Sequence, residues 1–171
     1  MAQTRFQKLQ EAIKTYGAAA FENLLRCKGF GEAVVKGLPE FIDCSENCIN
    51  AVPAEGPFDP RKDYGTKAFS YHDREVVVLE PIRFGIALTV KNLEDSGSLW
   101  LRTIISVEVT GDSFDVFVAQ QPVIHVPLDH KDKLKPVYEA IYREFLNIFQ
   151  LEVLEFNDQR FKTGIGFVPD K

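Results

Sequence analysis

PIRFGIALTVKNLEDSGSLWLRTIISVEVTGDSFDVFVA, residues 81–119, decides the fold. In its first part Ile82, Phe84, Ile86, Leu88 and Val90 alternate with Arg83, Gly85, Ala87, Thr89 and Lys91. A period of two places each set on its own face of a strand. Glu94 to Ser98 carries turn residues. Leu99, Leu101, Thr103, Ile105, Val107 and Val109 then alternate with Trp100, Arg102, Ile104, Ser106, Glu108 and Thr110. Thr110-Gly111-Asp112-Ser113 reads as a hairpin turn, with Phe114 to Ala119 returning. Connections this short join antiparallel neighbours. Upstream, Glu75 to Glu80 and the shorter Phe69 to Tyr71 are expected to be strands. Val123 to Val126 is expected at an edge, where Pro122 and Pro127 are tolerated.

The two faces differ. The Ile82 to Val90 set beside the Leu99 to Val109 set is core, each buried side chain being worth ~1.5–3 kcal/mol. The other face sets Gly85 and Ala87 beside Arg83, Trp100 and Arg102, a shallow depression with an indole and two guanidinium groups. Such a surface suits a peptide, a carboxylate ligand or a second subunit. The competing reading covers it with the N-terminal helices and pairs Arg102 with Glu108 or a loop carboxylate.

The flanks are helical. Phe6, Leu9, Ile13 and Tyr16 recur at three- and four-residue spacing behind Thr4, a good N-cap. Gly17, Gly29, Gly31 and Gly37 punctuate the next stretch, so two or three helical pieces are expected before Pro39. Phe41, Cys44, Cys48 and Val52 fall on one helical stripe, predicting a short helix within 39–52. Residues 53–67 hold three prolines and two glycines and read as a loop. Leu134, Val137, Ile141, Phe145 and Ile148 keep helical period, with Asp132 as N-cap and Pro136 in the first turn. Tyr138, Tyr142 and Phe149 widen that apolar face. Residues 151–156 fit either a longer helix or a strand.

The resulting expectation is a single α+β domain over 1–171. Residues 1–36 are helical, 37–67 form a short helix and a Pro/Gly loop, and 68–127 form an antiparallel sheet of four to six strands. A long helix over 131–150 packs on the sheet, and 151–171 is a tail.

The 171 residues carry 20 basic and 25 acidic side chains, a formal charge of −5 with no basic stripe. That balance argues against nucleic acid and against an anionic membrane surface as partners. No apolar run reaches the ~20 residues a spanning helix needs. Glu11 and regular polar positions interrupt the start where a signal peptide would be apolar, so a cytoplasmic protein is expected. Three cysteines without a framework spacing agree with a reducing compartment.

Chemical motifs are sparse. On a helix Cys44 and Cys48 would make a poor disulfide, and a zinc site lacks its second close pair, so both are expected in the core. His125, Asp129 and His130 have metal-ligand chemistry in one short loop. The competing reading has Asp129 or Asp132 capping the helix, His130 solvated and His125 on an edge strand. Cys27, between Arg26 and Lys28, would be reactive if exposed, but core burial is expected. Neither a nucleophile elbow nor a phosphate loop is present. The expectation is a non-enzymatic, cofactor-free binding or assembly module for a protein or peptide partner, self-associating as a homodimer. Its site would be Arg83, Trp100, Arg102 and His125. The alternative is a small anionic ligand, or an enzyme's substrate, held between the sheet and the 53–67 loop.

Overall fold

The computed structural model describes residues 2–44, 47–71, 78–91, 98–154 and 165–168. It begins with one helix, α1 (Arg5–Phe41). At 1.5 Å per residue this rod is about 55 Å long. Thr4 and Gln7 form a capping box: Thr4 Oγ1 accepts from the Gln7 amide at 3.1 Å, and the Gln7 side chain accepts from the Thr4 amide at 2.9 Å. The expected breaks at the glycines do not occur. A lone glycine costs a helix about 1 kcal/mol, which does not break a rod that is already propagating. Gly31 also serves the packing, because a Cβ there would lie 2.6 Å from a ring carbon of Phe69. Pro39 falls in the last turn, where it costs one hydrogen bond to Val35 and the helix ends two residues later.

The sheet is antiparallel throughout, with strands β1 (Ile49–Val52), β2 (Ile82–Lys91), β3 (Ser98–Thr110), β4 (Ser113–Val118), β5 (Ile124–Pro127) and β6 (Ile165–Val168). The order is β1-β2-β3-β4-β5. β4 pairs with the far end of β3, from Ile105 to Thr110, and β6 with its start, from Ser98 to Leu101. Phe84 faces Ile105 and Leu88 faces Leu101, so the alternation expected from the sequence is the register observed. A second helix, α2 (Lys135–Leu154), follows β5.

Both helices lie on one face of the sheet. Phe30, Val34 and Leu38 of α1 join Val137, Ile141 and Phe145 of α2 over Phe84, Ile86, Ile105 and Val107. The fold is therefore α+β with an antiparallel sheet, as expected. No helix among the described residues is long and apolar enough to cross a membrane.

Several boundaries differ from expectation. Residues 39–52 are not a helix: α1 stops at Phe41, Cys44 and Cys48 form a disulfide, and Ile49–Val52 is an edge strand. Four residues cannot show which period they follow, and the disulfide pairs two side chains that a helical stripe would merely align. The sheet thus starts at residue 49 rather than 68. Phe69 to Tyr71 is not a strand, although Ser70 N donates to Arg83 O at 2.8 Å and Arg83 N to Ser70 Oγ at 2.9 Å. The expected strand Glu75 to Glu80 and the turn at Glu94 to Ser98 fall largely outside the described residues, and 78–80 is not strand. α2 begins at Lys135, not 131, and Leu134 holds the N-cap position, its carbonyl accepting from Val137 and Tyr138. Asp132 instead occupies a left-handed turn at φ 62°. The tail is not featureless, since 151–154 extend α2 and 165–168 pair with β3.

Candidate functional site

The outer sheet face is covered by the 53–60 loop, not by the N-terminal helices. Arg102 Nη1 donates to the carbonyls of Pro53 and Gly56, both at 3.0 Å. Its guanidinium lies 4.3 Å from the centre of the Phe58 ring, and Phe58 meets Trp100 edge-on at 4.9 Å. Arg83 Nη1 is 2.6 Å from Glu55 Oε1. Gly85 lets the loop come close: a Cβ there would sit 3.0 Å from Arg102 Cδ, from the Pro53 carbonyl and from Val52. Burial lowers the Arg102 pKa, with Glu55 opposing, and an arginine stays charged regardless. Arg83, Trp100 and Arg102 are thus brought together, but the two arginines bind the loop through Glu55, Pro53 and Gly56, and Trp100 packs on Phe58.

His125 is not part of that cluster. It lies on the β5 edge with Nδ1 2.6 Å from Asp115 Oδ1. Asp129 is exposed, 4.0 Å from Lys133 Nζ. His130 is not solvated as expected: its ring meets Phe30 at 5.5 Å and Phe114 at 5.7 Å, and its Nδ1 is buried with no hydrogen-bond partner. No group of three His, Cys, Asp or Glu side chains suited to a metal occurs among the described residues. Cys27 is fully buried, and burial, helped by Glu108, pushes its pKa up to about 12. A thiol held protonated this firmly is no nucleophile at neutral pH.

A wide concavity lies elsewhere, on the helix side of the sheet beyond the end of α1. It measures about 1540 Å³. Leu88 and Val90 form its floor, and Tyr142, Phe145, Leu146 and Phe149 of α2 form one wall. The Cys44–Cys48 disulfide borders it, and Asp43, Asp63, Arg61 and Lys91 place two charges of each sign around the rim. Val90, Tyr142 and Leu146 are 44%, 47% and 41% exposed. Sequence reasoning did not locate this groove. The one available signal was the excess width of the α2 apolar face at Tyr142 and Phe149. Pro60 and Arg61 of the 53–67 loop do reach its rim, but none of Arg83, Arg102 and His125 lines it.

No protein-family model, curated protein or solved structure matches the chain. The functional reading therefore rests on this geometry alone.

Proposed function

We propose that the chain is a non-enzymatic binding module, working as a homodimer, whose groove takes an apolar segment of a protein partner. The observation that carries this reading is the groove's apolar lining, where Tyr142 and Leu146 of the wall and Val90 of the floor stay roughly half exposed. Small-molecule sites usually occupy about 300–1,000 Å³ and enclose their ligand, whereas this groove is larger and open to solvent. The balanced rim favours neither an acidic nor a basic partner. The Trp100 and Arg102 face contributes indirectly, by fastening the loop that carries Pro60 and Arg61. A small anionic ligand between sheet and loop is the weaker reading, because both arginines are already engaged there.

A cytoplasmic setting, which the composition favours, keeps thiols reduced. The Cys44–Cys48 bond would then open and loosen one border of the groove. A thiol count on freshly isolated, denatured protein decides between one free thiol, Cys27 alone, and three.

The groove is tested by selecting short random peptides on the wild-type protein and measuring their affinity for Tyr142→Glu and Leu146→Glu. Both positions are exposed enough for the fold to survive, which circular dichroism checks. Enriched peptides rich in aromatic and branched residues, weakened about tenfold or more by either substitution, support the reading. No enrichment, or binding indifferent to both substitutions, overturns it.

A further inference from the structure

We infer that the N-terminal half of α1 is the surface that meets a second copy of this chain, as an antiparallel helix pair centred near Glu11. The inference rests on the self-association part of the function proposed above and adds where the copies meet and in which sense.

The observation is an apolar seam that no described residue covers, although the Tyr16 hydroxyl at its inner end accepts from the Leu79 amide. Phe6, Leu9, Ile13 and Tyr16 are 68%, 61%, 71% and 44% exposed. Their spacing of three, four and three residues is that of a and d positions in a heptad. The same line continues through Ala20, Leu24, Cys27, Phe30, Val34 and Leu38, and there every side chain is buried, from Cys27 onward in the core shared with the sheet. One seam thus runs the length of the rod, half covered and half bare.

The seam is self-complementary. Phe6 and Tyr16 are equidistant from Glu11, and so are Leu9 and Ile13. Reversing a second helix about that point sets aromatic against aromatic and Leu9 against Ile13, each an a-to-d contact. Gln10, Ala12, Gly17 and Ala19 flank the seam and carry no charge, Arg5 is the one charged residue on its flank, at the outer end, and Lys8, Glu11 and Lys14 fall on the remaining surface of the helix. The small flanking residues Ala12, Gly17 and Ala19 allow the two backbones to approach.

The direction follows from the fold. The bare seam is continuous with the face that carries the sheet. A parallel partner helix lying on Phe6 to Tyr16 would run on into the space this chain's own sheet occupies. An antiparallel partner runs the other way, past the N-terminus, and leaves the two bodies at opposite ends.

The area is adequate. Each of the four side chains leaves on the order of 100–150 Å² uncovered. The pair of copies would bury on the order of 1,000 Å², the lower limit of specific interfaces. Association should therefore be concentration-dependent in the range of about 1–100 μM.

Sedimentation equilibrium on the full chain across that range, wild type against Ile13→Glu, supplies the first test. The expected result is a reversible dimer that Ile13→Glu weakens at least about 100-fold with unchanged circular dichroism. A wild-type monomer throughout overturns both the dimer and the interface. A dimer indifferent to Ile13→Glu leaves self-association standing and overturns this interface. Cross-linking then fixes the direction: Leu9→Cys mixed with Ile13→Cys should form a mixed disulfide far faster than either variant with itself. Faster cross-linking of Leu9→Cys with itself would mean a parallel pair and overturn the antiparallel arrangement.

Discussion

The two halves of α1 share a helix, a capping signal and a hydrophobic period, yet they live in different environments. From Ala20 to Leu38 the seam is buried, with Ala20, Cys27, Phe30, Val34 and Leu38 all at 0% exposure and the last four in the core over the sheet. From Phe6 to Tyr16 the same spacing faces solvent. The join is marked by Tyr16, whose hydroxyl accepts from the Leu79 amide at 2.8 Å. The docked half is held by tertiary burial. The bare half is held by propagation from it, since the cost of nucleating the helix is already met there, and by the Thr4 and Gln7 capping box at its far end. Amphipathic period therefore marks an apolar face without saying whether the chain itself covers it.

The sharpest way to break this contrast is to truncate one aromatic from each half. Phe30→Ala should cost about 3–5 kcal/mol in urea unfolding, because its ring is fully buried against Phe114 at 4.8 Å. Phe6→Ala should stay within about 0.5 kcal/mol for the monomer while weakening the association of copies. If the two substitutions destabilise the monomer equally, the bare half is not bare. A smaller contrast comes from the glycines. Gly31→Ala drives a Cβ into the Phe69 and Phe84 rings, at 2.6 and 3.2 Å, and should cost about 1–3 kcal/mol. Gly17→Ala meets nothing within 4 Å and should strengthen the helix by about 0.5–1 kcal/mol. The same substitution thus changes sign between halves, which thermal unfolding and helical circular dichroism can read separately.

Much of the sheet was legible in the sequence for one physical reason. Ile82 to Val90 and Leu99 to Val109 alternate strictly over nine or more residues, and a one-residue slip would turn every side chain to the wrong face. What was not legible had either too few residues or no local signal. Ile49–Val52 and Ile165–Val168 are four-residue strands whose period is ambiguous, and their pairing with β2 and β3 is set by tertiary contact. The single long α1 was obscured by four glycines, of which Gly31 and Gly37 admit a ring from another element while Gly17 and Gly29 meet nothing within 4 Å. At the outer sheet face the sequence showed Arg83, Trp100 and Arg102 as neighbours. It could not show that Pro53 and Gly56 would present the carbonyls that occupy Arg102. The groove escaped because its lining comes from separate parts of the chain, among them Ile42, Cys48, Arg61, Val90 and Tyr142.

The buried half also contains the one free thiol among the described cysteines, and pH probes its packing. Cys27 has its pKa raised from 9.0 to about 12 in the folded chain. Between those values the unfolded chain releases a proton that the folded chain keeps. Unfolding is then favoured, so stability falls as pH rises from about 9 to about 12 and is unaffected below that window. Other groups titrate there too, so the measurement is the difference between wild type and Cys27→Ala in urea unfolding. That difference should shift against the wild type as pH climbs through the window. A constant difference would mean that Cys27 is less enclosed than its position against Asn23 and the Val107 carbonyl requires.

The smallest expected effect on global stability tests how independent the bare half is. Thr4→Ala removes the side-chain acceptor for the Gln7 amide and half of the capping box, worth about 1 kcal/mol to a helix end. If the first turns of α1 are coupled to the sheet only through the rest of the rod, the substitution frays them alone. Amide exchange should then quicken over roughly the first two turns beyond the cap, where each N–H depends on the local helix. The urea midpoint of the core should not move at protein concentrations low enough to keep the chain monomeric. The association of copies should weaken, because Phe6 and Leu9 sit in the frayed turns. A fall in the core midpoint matching the loss at the cap would show instead that both halves unfold as one unit. The difference in burial between them would then carry no difference in stability.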